Sequence, residues 1–182
     1  MKYGRKMWMN IRLAKQSDLQ TLNQILVQAA ERIASMGSSQ WRELLLSDVE
    51  TIILPRILKQ HVYVGELDNK VVIMAFVMPE EEWDKSLWYQ FKSSNEALYL
   101  HKLAIKRGYE GQGIAQSFLN GLESELVNSA KIFVLRLDCM KEKTSLNALY
   151  QRAGFNYVGT YQGEITNNTE FNLYEKSMKT SC

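Results

Sequence analysis

The stretch Leu98 to Ala115, LYLHKLAIKRGYEGQGIA, concentrates the residues best suited to hold a ligand and act on it. A strand pattern runs into Gly108, Gly111 and Gly113, and a helix pattern begins at once. Glycine lets backbone N–H groups approach a ligand with no Cβ in the way, and a helix N-terminus adds partial positive charge. Together they suit a phosphate or pyrophosphate. The same glycines would equally serve a plain tight turn, and spacing alone weighs the two evenly. The Walker spacing is absent, and the glycines run G-x-x-G-x-G instead of G-x-G-x-x-G, so nucleoside triphosphate hydrolysis and dinucleotide binding are disfavoured. No G-x-S-x-G is present, and neither Cys139 nor Cys182 lies near a histidine in sequence, so a covalent acyl-enzyme has no visible nucleophile.

The elements that must position this turn follow from hydrophobic period. Asn10 to Lys15 alternates as a half-buried strand does. Ser17 with Gln20 forms a capping-box pattern ahead of Leu19, Leu22, Ile25, Leu26, Ala29 and Ile33 at helical spacing, and Gly37 ends that helix. A second helix is predicted over Ser47 to Gln60, bent or broken at Pro55. His61 to Leu67 and Val71 to Met78 flank Asp68-Asn69-Lys70 as a hairpin. Pro79 to Glu96 reads as an acidic, aromatic loop with a helical turn at most. A strand over Ala97 to Ile105, a helix over Gly113 to Ala130 and a strand over Phe133 to Asp138 form a crossover unit, so those two strands are expected to be parallel. The helix packs inward through Ala115, Phe118, Leu119, Leu122 and Leu126. A helix over Ser145 to Ala153 closes at Gly154, and strands over Tyr157 to Tyr161 and Phe171 to Ser177 finish the chain. The order is β-α-α-β-β-β-α-β-α-β-β.

Composition bounds the rest. The 182 residues are 46% hydrophobic with two prolines, enough apolar surface to exclude a disordered chain. The longest apolar run, Val71 to Met78, is far short of the ~20 residues a spanning helix needs. A formal charge of +2 argues for neither a nucleic-acid nor a membrane-surface role. Two cysteines make no disulfide framework, and His61 and His101 show no ligand spacing with them, so a reducing, cytoplasmic setting and no metal are expected. Residues 1–8 read as a basic extension, 9–178 as one domain and 179–182 as a tail.

Two motifs in order resemble the GNAT (Gcn5-related) N-acetyltransferase family. Its acetyl-CoA motif, [QR]-x-x-G-x-[GA] after a strand reading L-x-V, is similar to Leu103-Ala104-Ile105 followed by Glu110-Gly111-Gln112-Gly113-Ile114-Ala115. Its later L-Y-x-x-x-G-F stands as Leu149-Tyr150-Gln151-Arg152-Ala153-Gly154-Phe155. The resemblance covers about Met9 to Met178 and implies a single GNAT-like α/β domain. Its central sheet would be mixed but mostly antiparallel, with helices on both faces. It implies acetyl-CoA as cosubstrate, held by Leu103, Ala104, Ile105, Glu110, Gly111, Gln112, Gly113, Ile114, Ala115 and Gln116. Two positions depart from the pattern. Glu110 replaces Gln or Arg and costs affinity unless it points outward or pairs with Arg107 or Lys106. Lys143 replaces an Asn that bonds the cofactor arm, and its ammonium could take over that contact.

Acetyl transfer needs a deprotonated amine, a stabilised oxyanion and a proton for the departing thiolate. The resemblance makes Tyr150 the acid beside the sulfur; the plain alternative is an aromatic packed with Leu146 and Ala153. It places the oxyanion donor among the backbone N–H groups of Leu103 to Ile105, on a strand that splays from its parallel neighbour. His101, in L-H-K-L-A-I, resembles the arylalkylamine-type members, where a histidine deprotonates the amine through water; a core histidine is the even alternative. Asp138 and Cys139 read as a cap and a small buried residue. Gln40-Trp41 is similar to a Q-W pair lining the acceptor pocket of small-molecule members. The segment around Trp83, with Glu80, Glu81, Glu82 and Asp84, suits a cationic amine or is simply a solvated loop. The leading expectation is therefore an N-acetyltransferase of a small primary amine. A protein N-terminal or lysine acetyltransferase and a silent CoA-binding sensor or scaffold remain alternatives. Expected partners are the amine, with no nucleic acid and no membrane, and a homodimer is admissible.

Overall fold

A computed structural model describes residues 9–91, 96–129 and 134–178. The expectations for 1–8, 179–182, Phe133, Ala130 and Cys182 lie outside these residues. Seven strands form one mixed sheet in the order β1-β2-β3-β4-β5-β7-β6. They are β1 (Asn10–Leu13), β2 (Val62–Leu67), β3 (Lys70–Met78), β4 (Ala97–Ile105), β5 (Val134–Met140), β6 (Asn156–Tyr161) and β7 (Phe171–Ser177). Interleaved are α1 (Leu19–Ser35), α2 (Glu43–Leu46), α3 (Glu50–Leu58), α4 (Glu82–Trp88), α5 (Ile114–Ser129) and α6 (Thr144–Arg152). As expected, β4 and β5 are parallel, whereas the β1–β2, β2–β3, β5–β7 and β6–β7 pairs are antiparallel. No helix among the described residues is long and apolar enough to cross a membrane.

The chain divides into two compact units, 1–76 with 102–121, and 77–101 with 122–182. In the first, α1 buries Leu22, Ile25, Leu26, Ala29 and Ala30, the stripe its spacing predicts. The capping box differs from expectation: Asp18, not Ser17, reaches back, accepting the Lys15 backbone N–H at 2.7 Å. An aspartate already held by Arg12 is the better placed acceptor. The second helix forms as α3, inside the expected Ser47 to Gln60, with Pro55 within it and not breaking it and with Ile53 and Ile57 buried; α2, just before it, was not expected. The hairpin turn is tighter than predicted. Asp68 (φ 48°) and Asn69 (φ 59°) alone make it, both left-handed as a two-residue turn between twisted strands demands.

In the second unit, Leu87, Trp88, Tyr99, Phe171 and Leu173 form a buried cluster, with Trp83, Phe91, Val158 and Tyr161 against it. The segment expected to be a loop therefore contains α4, because Leu87 and Trp88 belong to the core. Strand β5 runs two residues past the predicted Asp138, since its pairing with β7 continues to Met140↔Phe171.

Arg12 ties the entry of the first unit together. Its Nη1 and Nη2 donate to the two Asp18 oxygens at 2.8 and 3.1 Å, and its Nε donates to Glu66 Oε1 at 3.0 Å. Burial works to raise the Asp18 carboxyl, but the Arg12 hydrogen bond and charge outweigh it and hold it below its ordinary value. Hydrogen bonds from Arg12 and then Asn10 do the same for Glu66. Groups with depressed folded-state pKa values stabilise fully above the ordinary carboxylate range, and that stability fades as pH falls through it. Arg12→Ala should therefore cost about 1–2 kcal/mol at pH 7, and clearly less near pH 3, in denaturant titrations. An equal cost at both pH values would assign Arg12 a packing role only.

Candidate active site

The site begins where β4 leaves its neighbour. The parallel register is three pairs long, Ala97↔Val134, Leu98↔Leu135 and Tyr99↔Arg136. Beyond it Lys102 adopts φ 52°, a left-handed residue inside a strand, which breaks the regular ladder. Of the expected oxyanion region, Ala104 is buried while Leu103 and Ile105 are half-buried, and the Lys106 N–H donates to Val72 O at 2.8 Å. The turn that follows needs glycine: Gly108, Gly111 and Gly113 have φ of 91°, 73° and 75°. A Cβ on any of the three would meet no heavy atom within 4 Å, so the space beside this backbone is open. Ile114, 1% exposed, anchors the first turn of α5. Ala115 is half-buried, and Gln116 donates from Nε2 to Asn120 while its Oε1 is buried without a donor among the described residues. An open cradle of left-handed glycines, with an orphaned polar atom one turn on, fits a pyrophosphate-bearing ligand.

Glu110 does not face that space unpaired. Arg32 of α1, not the expected Arg107 or Lys106, donates to its Oε1 at 2.5 Å, while Oε2 accepts the Gly108 N–H at 2.7 Å. Arg107 pairs instead with Glu31 at 3.2 Å. Burial pushes the Glu110 carboxyl up, but backbone N–H groups and the Arg32 and Arg107 charges leave it below its ordinary value. Gln112 donates to Gly108 O at 2.9 Å and braces the turn. In the same unit Trp41 takes φ 61°, and the Lys102 ammonium lies 5.0 Å over its ring while pairing with Glu43 at 2.7 Å. The Gln40 N–H donates to Ser38 Oγ at 3.3 Å.

In the second unit, L-Y-x-x-x-G-F is a helix stop. The Phe155 N–H returns to Tyr150 O and the Gly154 N–H to Gln151 O, with Gly154 at φ 86°. The Tyr150 and Phe155 rings meet edge-on at 6.1 Å, the apolar contact that accompanies this cap. Tyr150 is 5% exposed and touches Tyr174, whereas Leu146, its expected packing partner, is exposed. Burial, then the charges of Cys139 and Asp138, push the Tyr150 hydroxyl well above its ordinary value. Cys139 is buried as expected, its thiol pushed up to about 12 by burial and then by Asp138. Lys143 precedes α6, its Nζ 3.7 Å from Glu142.

His101 is neither solvated nor an ordinary core residue. Its Nε2 is 3.2 Å from both oxygens of Asp84, which is fully buried and accepts the Glu81 N–H at 2.9 Å. Asp138 stands in the same group, with donor atoms of all three residues within 4.8 Å. Trp83 Nε1 donates to Asp138 Oδ1 at 3.2 Å. Both carboxylates thus already accept N–H donors, and the imidazole sits at hydrogen-bond spacing. We read the group as an acid–base cluster. Burial works to lower the His101 pKa, but the Asp84 hydrogen bond and the charges of Asp84, Asp138 and Glu81 leave it raised.

Sequence reasoning missed Asn147. Its Nδ2 donates to Met140 O (2.9 Å) and Lys143 O (2.8 Å), and its Oδ1 accepts from Asn172 (2.9 Å) and the Tyr174 hydroxyl (2.8 Å). One buried amide fastens the end of β5 to the start of the helix that carries Tyr150. Only its apparent mid-helix polarity could have flagged it.

The acetyltransferase (GNAT) domain family matches residues 59–157, more than half of the chain. The protein belongs to the GNAT acetyltransferase family. The uncharacterized N-acetyltransferase YesJ of Bacillus subtilis (strain 168) is 30% identical over 162 residues, 88% of this chain and 86% of that protein. Solved GNAT-family acetyltransferases share the fold. That of Streptococcus agalactiae aligns with TM-score 0.75 at 24% identity over 96% of this chain and 99% of its own. That of Listeria monocytogenes aligns with TM-score 0.74 at 24% identity over 93% and 94%. Membership makes this GNAT protein an acyltransferase with acetyl-CoA as cosubstrate.

In this acetyltransferase, Asn147→Ala would remove the acceptor of the buried Tyr174 hydroxyl together with the amide's other side-chain hydrogen bonds, although Met140 O and Lys143 O keep backbone donors. The expected cost is about 2–4 kcal/mol, a fall in Tm of roughly 5–10 °C for a chain of this size. A shift under about 1 °C would show that water replaces the amide without loss.

Proposed function

We propose that this GNAT acetyltransferase moves the acetyl group of acetyl-CoA directly onto the primary amine of a small molecule. The observation that carries the reading is the half-buried His101 among Asp84, Asp138 and Glu81, a negatively charged cluster with an imidazole in it. Such a group attracts an ammonium and can take its proton. Fold alone does not choose the acceptor. Structural neighbours include a spermidine N-acetyltransferase chimera from Vibrio cholerae (TM-score 0.66, 12% identity) and a ribosomal L7/L12 alpha-N-protein acetyltransferase (TM-score 0.70, 16% identity). Another, yncA from Salmonella typhimurium (TM-score 0.67, 14% identity), was solved with its cofactor acetyl-CoA.

In this reading the pyrophosphate lies on the backbone of Gly111, Gln112, Gly113 and Ile114, flanked by Glu110, Ala115 and Gln116. Lys143 meets the cofactor arm, and Leu103 to Ile105 supply the N–H for the oxyanion. His101 accepts the ammonium proton through water. The free amine attacks the thioester carbonyl, the tetrahedral intermediate collapses with cleavage of the C–S bond, Tyr150 protonates the departing CoA thiolate, and the excess proton left on the nitrogen restores the Tyr150 hydroxyl through water. Its raised pKa keeps that hydroxyl protonated at working pH. A buried Cys139 with its thiol near 12 is a poor nucleophile, which favours direct attack over an acyl-enzyme. Gln40, Trp41 and Trp83 shape the acceptor side.

Acetyl-CoA should raise the Tm, and the double variant Gly111→Val, Gly113→Val should abolish that rise. Both glycines hold positive φ, so valine strains the turn as well as filling the open space. An undiminished shift in the folded variant would place the cofactor elsewhere. Amine-dependent release of CoA thiol then separates the acceptor classes. Turnover with small amines supports the proposal, turnover with peptides alone supports protein acetylation, and binding without turnover marks a sensor.

Tyr150→Phe keeps the ring contacts and removes the proton. We expect kcat to fall on the order of a hundredfold with the acetyl-CoA KM little changed; unaltered kcat would leave Tyr150 a packing residue.

A further inference from the structure

We propose that Asp84 is the positioning residue of an aspartate–histidine dyad: it fixes the proton of neutral His101 on Nε2 and leaves Nδ1 as the nitrogen that accepts the proton of the acceptor amine. The proposal deepens the functional reading above, since His101 is the base in that reading, but its structural half stands independently.

Asp84 sits in the first turn of α4 and is fully buried. A buried carboxylate is costly unless its oxygens find donors. Oδ2 takes the Glu81 N–H, yet Oδ1 has no hydrogen-bond partner among the described residues except for the imidazole approaching it at 3.2 Å. The His101 Nε2 is equally 3.2 Å from Oδ2. An imidazole nitrogen facing two carboxylate oxygens is held there only as a donor, because a bare ring nitrogen would set lone pair against lone pair. The Nε2–H tautomer follows, and Nδ1 becomes the basic nitrogen. Asp138 and Glu81 are the other charged groups acting on the ring, and Trp83 steadies Asp138. They add negative charge near the imidazolium that forms when Nδ1 takes a proton. The proton balance is simple. The ammonium gives H⁺ to Nδ1, directly or through one water, and the amine lone pair becomes the nucleophile. The imidazolium then returns H⁺ to solvent, the thiolate takes a proton from Tyr150, and the second proton the nitrogen sheds as the C–S bond breaks and the amide forms restores the Tyr150 hydroxyl through water.

The chain has two histidines, His61 and His101, so imidazole nitrogens labelled with ¹⁵N resolve into two spin systems, with His61 as internal reference. The expected result is a protonated Nε2 and an unprotonated Nδ1 on neutral His101. Asp84→Asn keeps a carbonyl oxygen for the Glu81 N–H but turns its amide toward Nε2. That change should move His101 toward the Nδ1–H tautomer and lower its titration midpoint, with the His61 midpoint unmoved. In thiol-release assays the same variant should lose on the order of a hundredfold in kcat/KM near neutral pH, while the acetyl-CoA thermal shift is retained.

A wild-type His101 with its proton on Nδ1 overturns the dyad without recourse to any variant. So does an Asp84→Asn protein whose tautomer and kcat/KM match the wild type. The spectroscopic arm needs no substrate. An Nε2–H tautomer that Asp84→Asn reverses, in a protein that acetylates no amine, would uphold the pairing and remove the catalytic reading. Loss of turnover in His101→Gln with full turnover in Asp84→Asn would do the opposite, keeping the base and removing Asp84 from its support.

Discussion

A buried guanidinium stands at the last parallel pair of the sheet. Arg136, 1% exposed, donates from Nη1 to the Tyr99 hydroxyl at 3.2 Å and from Nε to Glu175 at 3.3 Å. It lies 5.0 Å over the Trp88 ring and 6.0 Å over that of Tyr99. Tyr99 in turn donates to Glu80 at 3.0 Å, so one cation is balanced by carboxylates reached from β7 and from the residues before α4. Burying it unpaired would cost several kcal/mol; paired, it clamps β4, β5, β7 and α4 at one level of the sheet. Past that level β5 keeps its bonds to β7, and β4 loses β5 as a partner. His101 and Asp138 both lie beyond the clamp. The stretch of β4 that has left β5 therefore follows directly on a charge-compensated block.

This arrangement explains which parts were legible in the sequence. Hydrophobic period found every strand and the helices α1, α3, α5 and α6, because each has a face to bury and a period that reports it. It missed α4, whose seven residues are acidic at one end and aromatic at the other. Carboxylates in sequence look solvated, yet Asp84 is buried on α4, where a histidine from β4 meets it. The Ser17–Gln20 box failed for a related reason: Asp18 wins the cap through Arg12, whose second partner, Glu66, is 54 residues away in sequence. Local patterns locate elements, but long-range charge pairs decide which polar group is spent where.

The same distinction runs through the candidate site. Glycines announce themselves, since few other residues hold φ near +75°, and all three in the turn do so or nearly so. The L-Y-x-x-x-G-F pattern was read as a family signature, but its spacing has a local physical cause. Tyrosine, glycine and phenylalanine occupy the positions a helix stop assigns to the last buried carbonyl, the left-handed residue and the returning N–H. A tyrosine there has its backbone fixed by the cap and its ring fixed by Phe155 and Tyr174. Asn147 carries no local mark beyond its mid-helix polarity. Two of its partners, Asn172 and Tyr174, come from a strand 25 and more residues later in the chain.

Glu110 shows how a departure from the pattern can be absorbed without changing the backbone. A carboxylate beside an anion cradle would repel its ligand, and an unpaired one would do so at full charge. Here the carboxylate accepts one N–H of the turn itself and faces Arg32 from α1, so the local field is that of an ion pair and not of a lone anion. The positive charge beside the turn comes from a helix some 80 residues earlier in the chain. Gln112, bound to Gly108 O, holds the loop from the other side. The N–H groups of Gly111 to Ile114 owe nothing to the identity of residue 110. A cradle made of main chain would tolerate such a substitution, because its recognising atoms would be ones every residue carries, and only the glycine conformations would be irreplaceable.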